Sequence, residues 1–283
     1  MTRLRDQVDA ARTQLVAAGI PAAEAAFDAE LLMRDVLAWD RAAWLTRRDE
    51  TTSAHAARAF GVLVERRAAR EPVAYIRGVQ EFYGRAFQVR RGVLIPRPES
   101  ELLVDEAVAR LAGQPAPRVA DIGTGSGCLA NTVALAGPRA SVVATDISGE
   151  ALEIARANAA AHGVGARIAF MEGNYLDGVA GQFDVILANP PYVPDTDEPS
   201  LAPEVVAHEP RVALFGGPDG LRDVRTIVAL AATALVPGGS LVMEIGAGQW
   251  PDVREALTAV GLGTDARVRH DLQGIARAVV ATR

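Results

Sequence analysis

The stretch VADIGTGSGCLA, Val119–Ala130, decides the fold that the sequence predicts. The run Arg118–Ile122 reads as a buried strand, glycines follow at positions 123, 125 and 127, and a helix-like pattern begins directly after them. Glycine permits a tight turn and lets backbone N–H groups approach a ligand closely at the start of a helix. A strand, a glycine loop and a helix in this order form the first unit of an open α/β sheet.

The spacing of these glycines distinguishes between nucleotide-binding loops. A dinucleotide fingerprint is G-x-G-x-x-G, with its last glycine where Cys128 stands, whereas this chain has G-x-G-x-G after Asp121. That form is typical of S-adenosylmethionine (SAM) methyltransferases. Asp146 ends the next predicted strand, where a carboxylate can accept both ribose hydroxyls in charge-assisted hydrogen bonds. SAM, with S-adenosylhomocysteine as its product, is therefore the predicted cofactor; an NAD site, or a turn beside a helix-capping Asp, is the alternative.

Apolar runs alternate with helical stretches from about Pro98 to the C-terminus, which predicts a doubly wound, mostly parallel sheet. The last run follows DARVRH without room for a long helix, so an antiparallel strand is predicted there. The predicted strands are Arg118–Ile122, Ser141–Thr145, Arg167–Met171, Phe183–Ala188, Ser240–Ile245 and Ile275–Ala281, and the predicted helices include Glu99–Leu111 and Ser148–Ala161.

Residues 1–74 read as a helical bundle that forms a separate N-terminal domain. Its predicted apolar faces carry Leu4, Val8, Ala11, Leu15 and Ala18; Phe27, Leu31, Leu32 and Val36; and Phe60, Leu63 and Val64. Residues 75–97 have glycines between short β-like runs and read as a β-hairpin linker. Residues 98–283 are then predicted to form a Rossmann-like methyltransferase domain.

Composition excludes several classes of protein. No run of about 18 apolar residues or signal-peptide core occurs, so we expect a cytoplasmic protein without a membrane anchor. The net charge of −6 argues against a broad basic surface, and no stable nucleic-acid binding is expected. All 29 basic residues are arginine, which excludes lysine chemistry. The chain has one cysteine, Cys128, which is interpreted as a packing residue, and its histidines are scattered. We therefore expect no metal site.

The motif NPPYVP, residues 189–194, follows the fourth predicted strand, at the edge where open α/β sheets bind ligands. The two prolines fix φ and remove two N–H donors, so carbonyl acceptors lie beside the Asn189 side-chain oxygen. Such a rim suits a planar NH₂ group held by Asn189 and the Pro190 carbonyl, with Tyr192 against its plane. Asn189, Pro190 and Tyr192 are the catalytic candidates, and Pro191 completes the substrate site. A proline-stiffened strand end is the alternative.

These motifs together resemble the PrmC/HemK family of glutamine methyltransferases, which modify class-I peptide chain release factors. The likeness spans nearly the whole chain and rests on EPVAYIRGVQEFYG (Glu71–Gly84), LIPRPESE (Leu94–Glu101), DIGTGSG, NPPYVP and DLQGIARAV (Asp271–Val279). In this family Thr usually stands where this chain has Ser100. The resemblance implies that the acceptor is the side-chain amide of the glutamine in the Gly-Gly-Gln loop of a release factor, clamped by the helical domain and the hairpin.

The resemblance also implies the residues that hold the cofactor. They are Gly123, Thr124, Gly125, Ser126, Gly127, Asp146, Tyr175 and Asn189, and the glutamine is held by Asn189–Tyr192. Asn174 and Tyr175 in MEGNYL are candidates for the adenine end, although turn and core positions are the alternative.

Three further segments have less specific interpretations. Arg97 is predicted to pair with Glu99 or Glu101, or to line the site; residues 209–221 form a loop over the pocket or a plain connection; Glu244 ends a strand near the cleft without a visible partner. Two other functions stay open at this point. One is N-methylation of a nucleic-acid base, DNA adenine or rRNA guanine, and the other is a non-catalytic binding module.

Overall fold

A computed structural model describes residues 2–283. Contacts between residues divide this part of the chain into two compact units. The first contains residues 2–79 and 202–208, and the second contains residues 80–201 and 209–283. The chain therefore leaves the second unit after Leu201, adds a short helix to the first, and returns at Glu209.

The helices and strands have the following bounds. The helices are α1 Leu4–Ala17, α2 Ala22–Leu37, α3 Arg41–Arg47, α4 Ala54–Ala68, α5 Val73–Arg77, α6 Glu101–Leu111, α7 Cys128–Ala136, α8 Gly149–Ala161, α9 Pro203–His208, α10 Arg222–Ala234 and α11 Trp250–Ala259. The strands are β1 Val79–Phe82, β2 Arg85–Gln88, β3 Arg118–Ile122, β4 Ser141–Asp146, β5 Ile168–Glu172, β6 Phe183–Ala188, β7 Leu235–Glu244, β8 Arg267–His270 and β9 Ala276–Thr282.

The first unit packs its helices around one apolar cluster. Helix α1 buries Leu4, Val8, Ala11 and Leu15, as predicted, because these positions recur every three or four residues. In α2 the predicted burial of Phe27 is wrong, since its side chain is 63% exposed. The buried stripe of α2 instead runs through Ala25, Asp28, Ala29, Leu32 and Met33, whose spacing leaves position 27 on the solvent face.

A buried arginine organises the polar part of this unit. The Arg67 side chain on α4 is 2% exposed, and its Nε donates to Asp28 at 2.7 Å. It also donates to Glu24 and to Glu204 of α9, and Arg70 donates to Glu204 as well. Burial raises the pKa of Asp28 against the opposing effect of Arg67. Because a buried charge without its partner is strongly destabilising, these pairs fix α9 in the unit.

The second unit contains the sheet that the sequence predicts. Among the described residues its strand order is β5-β4-β3-β6-β7-β9-β8; neighbours from β5 to β7 are parallel, and β9 is antiparallel to β7 and β8. Residues of β3 alternate between two cores: Val119 packs on the side of α6 and α7, and Ala120 on the side of α10 and α11. The prediction of a doubly wound, mostly parallel sheet with an antiparallel strand is confirmed.

One strand is longer than its sequence indicates. β7 begins at Leu235 rather than Ser240, because Leu235 pairs with Phe183 before a register shift brings Ser240 opposite Val185. The intervening Pro and Gly residues made this part of the strand look like a turn.

The chain reverses its winding direction between β3 and β6. β3 pairs with β4 on one side and with β6 on the other, and Ile122 is opposite Ala188. The glycine loop and the NPPY motif therefore leave adjacent strands at the same edge of the sheet. This position is the crevice in which doubly wound sheets bind ligands.

The hairpin of β1 and β2 is fixed to α8 within the second unit. The Asn158 side chain of α8 accepts a hydrogen bond from Gln88 N at 2.7 Å and donates one to Gln88 O at 3.0 Å. Phe82 and Phe87 of the hairpin join the core beside α6 and α7. In residues 2–283 no helix has both the length and the apolar character needed to cross a bilayer.

Candidate active site

A cavity of about 850 Å³, measured with its open mouth, lies at the crevice between β3 and β6. The loops after four neighbouring strands contribute to its wall. The predicted site residues that line it are Gly123, Gly125, Asp146, Asn174, Tyr175, Asn189, Pro190 and Pro191.

The glycine loop presents its backbone to this cavity. Gly123 has φ +71° and Gly125 has φ +55°, and a Cβ atom added at either would meet nothing within 4 Å. Glycine is needed here for the left-handed backbone, and the space beside it stays open for a ligand. Gly127 differs, because its Cβ would lie 2.6 Å from Asn131 Nδ2 and 3.0 Å from Ala155 Cβ, so this glycine permits close packing of α7 on α8.

Thr124, Ser126 and Gly127 are not among the residues that line the cavity. The Thr124 hydroxyl donates to Asp121 Oδ2 at 2.6 Å, and the same oxygen accepts from Ala130 N at 3.1 Å. Burial raises the pKa of Asp121 to about 6. Asp121 thus ties the loop to the start of α7, and direct contact of these three residues with a cofactor stays a prediction.

Asp146 at the end of β4 has one backbone partner on each carboxylate oxygen. Oδ2 accepts from Gly125 N at 2.9 Å, and Oδ1 accepts from Ser148 N at 2.9 Å. Burial raises the pKa of Asp146, and these backbone donors oppose the shift. A carboxylate has about four acceptor positions, so these backbone donors leave capacity for the hydroxyls of a ribose. The donor set and the open loop therefore fit a bound nucleoside such as that of SAM.

The loop after β5 forms a further part of the cavity wall. Tyr175 has φ +52°, an uncommon backbone for an aromatic residue, and its hydroxyl donates to Asp223 Oδ1 at 2.6 Å. Asn174 is exposed and borders the cavity beside it. Tyr175 also packs against the core beside α10. A flat ring and an amide are thus available where the sequence predicts the adenine.

Asn189 lies at the end of β6 with its side chain half-buried at the cavity wall. Its Nδ2 atom donates to Ser100 Oγ at 3.0 Å. Since the NH₂ group is engaged in this way, Oδ1 remains as the acceptor atom of this side chain. Pro190 and Pro191 continue the wall and have no N–H groups to compete for it.

The sequence left Glu244 without a partner, and the structure places it behind the NPPY motif. Glu244 is 1% exposed and accepts from the Ser100 hydroxyl and, at 3.0 Å, from the Tyr192 hydroxyl. Burial raises the pKa of Glu244 and that of Tyr192. Tyr192 is not among the cavity-lining residues, so its contact with the plane of a substrate amide stays a prediction. Ser100 was missed because it is 144 residues away from Glu244 in sequence.

The predicted pairing of Arg97 with Glu99 or Glu101 is wrong. Arg97 donates to Glu209, whose carboxylate also accepts from Ile95 N at 3.0 Å. Glu209 is 4% exposed, so a buried carboxylate takes the guanidinium in preference to the half-buried acids nearby in sequence. The segment after Glu209 borders the cavity through Pro210, Val212 and Ala213, which supports the interpretation of residues 209–221 as a loop at the pocket.

Two glycines of this loop approach the NPPY backbone. A Cβ atom added at Gly216 would lie 2.5 Å from the Pro191 carbonyl oxygen, and one at Gly220 would lie 2.2 Å from that of Tyr192. Gln249 Nε2 donates to the same Tyr192 oxygen at 2.9 Å. The motif is therefore held by backbone contacts that allow no side chain at these positions.

The fold and this site together define a Rossmann-like, SAM-dependent methyltransferase. A family model described as Methyltransferase small domain matches residues 98–218, and the PrmC N-terminal domain model matches residues 6–78. The release factor glutamine methyltransferase of Deinococcus radiodurans is 42% identical over 281 residues, 99% of each chain. That of Bradyrhizobium diazoefficiens is 40% identical over 263 residues, 92% of this chain and 89% of the relative. This chain belongs to the family of release factor glutamine methyltransferases.

Solved structures agree on the fold. The similarity to the structure of a methyltransferase from Pyrococcus furiosus extends over 71% of this chain and 90% of that protein, with 19% sequence identity and a TM-score of 0.52.

Among residues 2–283 no group of three His, Cys, Asp or Glu side chains is placed to hold a metal ion. Burial raises the pKa of the Cys128 thiol to about 12, so this group is not a thiolate near neutral pH.

Replacement of Gly220 with Ala is expected to lower methyl-transfer activity at least about tenfold. The NPPY backbone must move to make room for the side-chain methyl group of the alanine. Gly261→Ala is the matched control: its φ is +81°, close to the +73° of Gly220, but its Cβ would meet nothing within 4 Å. Both variants carry the backbone penalty of about 1–2 kcal/mol. Thermal unfolding and steady-state kinetics compare them, and equal activities would contradict a requirement for the close contact between Gly220 and the NPPY backbone.

Proposed function

We propose that this enzyme transfers the methyl group of SAM to the side-chain amide nitrogen of the glutamine in the Gly-Gly-Gln loop of class-I peptide chain release factors. The observation that carries the proposal is Asn189, whose Nδ2 is bound to Ser100 while its oxygen remains for an NH₂ donor at the cavity wall. The names of the relatives in the family support the same acceptor.

The cofactor contacts follow from the loops around the cavity. Asp146 accepts hydrogen bonds from the ribose hydroxyls of SAM. The backbone at Gly123 and Gly125 borders the amino-acid part of SAM, and Asn174 and Tyr175 contact its adenine. When bound, SAM supplies a methyl group activated by a sulfonium.

Amide nitrogen is a poor nucleophile because its lone pair is delocalised, so the protein must act on this group. The Asn189 oxygen and the Pro190 carbonyl accept the two N–H hydrogens of the glutamine and orient its nitrogen toward the methyl carbon. These acceptors also stabilise the positive charge that develops on nitrogen during transfer.

The chemical balance needs no further reactant. An N–C bond forms, the S–C bond breaks, S-adenosylhomocysteine leaves, and one proton passes from nitrogen through the same acceptors to water. Asn189, Pro190 and Tyr192 are thus the proposed catalytic residues, and Pro191 completes the substrate site.

The helical unit and the hairpin of β1 and β2 are proposed to clamp the release factor. The match of the first unit to the PrmC N-terminal domain supports this part of the proposal. We also propose that the enzyme works in the cytoplasm, together with this substrate.

The purified protein should label an unmethylated class-I release factor from isotopically labelled SAM, with the label on the glutamine of the Gly-Gly-Gln loop by peptide mass spectrometry. A release factor with Gln→Ala in the loop should stay unlabelled. Equal label on this variant would contradict the proposed acceptor. Label on DNA or RNA in parallel reactions, with none on the release factor, would favour a nucleic-acid base methyltransferase instead.

A further inference from the structure

Three side chains form a hydrogen-bonded series behind the catalytic asparagine. Glu244 at the end of β7 accepts from the hydroxyl of Ser100, in the short 3₁₀ turn Pro98–Ser100 before α6. Ser100 Oγ in turn accepts from Asn189 Nδ2 at 3.0 Å. Ser100 is 2% exposed and Glu244 1% exposed, so neither exchanges these partners for bulk water.

The direction of each hydrogen bond is fixed by the number of protons available. A serine hydroxyl has one proton, and Ser100 gives it to Glu244. The other Glu244 oxygen accepts from the Tyr192 hydroxyl at 3.0 Å, so both oxygens serve as acceptors. The Ser100 oxygen can then only accept, and the Asn189 amide must turn its NH₂ group toward it.

We infer that Ser100 and Glu244 are positioning residues that set the orientation of the Asn189 side-chain amide, so that its oxygen and not its NH₂ group faces the substrate. The inference rests on the proposed function, because it concerns the binding of an amide NH₂ group. An asparagine amide is nearly symmetric in shape, and packing alone distinguishes its two orientations poorly. Only its hydrogen-bond partners make the choice.

The buried carboxylate is otherwise difficult to explain. A carboxylate in an apolar interior is costly, and two hydroxyl donors do not neutralise its charge. The charged and titratable groups that face Glu244 are Arg277 of β9, Glu99 of the 3₁₀ turn, Cys128 of α7 and the Tyr192 phenol. Arg277 itself donates to Asp271 at 3.1 Å.

Protonation of Glu244 would reverse the direction of the hydrogen bonds that join Glu244, Ser100 and Asn189. A protonated Glu244 can donate to Ser100, which frees the serine proton for the Asn189 oxygen and turns the NH₂ group toward the substrate. Burial raises the pKa of Glu244 above its ordinary value of 4.5, so this reversal begins at a higher pH than for a solvated glutamate. Turnover at saturating SAM should therefore fall as the pH decreases through this raised pKa.

The test compares Ser100→Ala with Ser100→Thr, which keeps the hydroxyl. Ser100→Ala is expected to lower kcat about 10- to 100-fold, the loss found when the partner that orients a metal ligand is removed. SAM affinity, measured by calorimetry, should stay within about threefold, and Ser100→Thr should restore kcat to within about threefold of wild type. Ser240→Ala on β7 is the matched control, a buried serine whose hydroxyl lies 3.5 Å from the hydroxyl of Thr282.

A charged acceptor distinguishes orientation from a general loss of structure. A release factor with Gln→Glu in its loop offers a carboxylate, which an asparagine NH₂ group binds and an asparagine oxygen repels. This variant should inhibit Ser100→Ala at several-fold lower concentration than it inhibits wild type or Ser100→Thr. In addition, the decrease of kcat at acidic pH should be present in wild type and Ser100→Thr and absent in Ser100→Ala.

Each outcome is decisive. Wild-type kcat in Ser100→Ala, or equal inhibition of all three proteins by the Glu-containing release factor, would overturn the inference. Failure of Ser100→Thr to restore activity in a folded protein would do the same. Failure of wild type to methylate the release factor would instead overturn the proposed function, so the two results are distinguishable.

Discussion

Replacement of Asn189 with Ala is expected to lower kcat about 100- to 1,000-fold, the usual cost of removing one aligned polar partner of a transition state. We propose that its amide oxygen is the side-chain acceptor for the glutamine NH₂ group, because its NH₂ group donates to Ser100 and the residue lines the cavity. Without it the nitrogen is neither oriented nor stabilised as positive charge develops. SAM affinity should change less than about threefold, because the ribose and loop contacts remain. Single-turnover kinetics and calorimetry measure the two quantities separately.

Asn174→Ala is the matched control for this prediction. Asn174 also borders the cavity, but it follows β5, at the end where we propose the adenine. Its loss should weaken SAM binding and leave kcat at saturating SAM close to wild type. Normal turnover in Asn189→Ala, or equal losses of kcat in the two variants, would contradict the acceptor role of Asn189.

Replacement of Asp146 with Ala is expected to weaken SAM binding by about 100-fold or more. Each hydrogen bond to a charged group contributes about 1.5–3 kcal/mol, and two ribose hydroxyls lose their acceptor. The backbone N–H groups of Gly125 and Ser148 lose theirs as well, so the glycine loop also loses order. Calorimetric titration with S-adenosylhomocysteine measures the affinity without turnover.

Asp177→Ala controls for the loss of one acidic residue, because Asp177 is exposed and does not line the cavity. The affinity of wild type should also fall with decreasing pH, since burial raises the pKa of Asp146 and its ionised form is the acceptor. This pH dependence should be absent in Asp146→Ala. Unchanged affinity in Asp146→Ala would exclude the ribose contact.

Six of the seven strands in the described sheet could be predicted from the sequence because each has a local signature, whereas β8, Arg267–His270, was not among the predicted strands. The predicted bounds of β3 and β6, Arg118–Ile122 and Phe183–Ala188, agree with the structure. Both strands are buried on two faces and therefore read as largely apolar runs. Errors occurred where the local pattern was ambiguous. Phe27 is apolar but lies off the buried stripe of its helix, and the glycine-rich start of β7 resembled a turn.

Only part of the site could be predicted from the sequence. Residues at strand ends were found because a parallel sheet collects its carboxyl ends at one edge, so order along the chain predicts proximity. The partner of Arg97 was not found, because two acidic residues lie close to Arg97 in sequence, whereas its actual partner, Glu209, lies 112 positions away. Ser100 and Glu244 carried no periodic or motif signal that joins them.

By itself, the sequence determined the class of fold, the glycine loop and its acid, and the asparagine that we propose as an acceptor, because these depend on local patterns and on the order of elements. Only the tertiary structure decided which way that asparagine faces. Its orientation depends on hydrogen bonds among Ser100, Asn189 and Glu244, which β6, β7 and the turn before α6 bring together. Hydrogen bonds act over about 3 Å, so contacts of this kind exist only after the chain has folded.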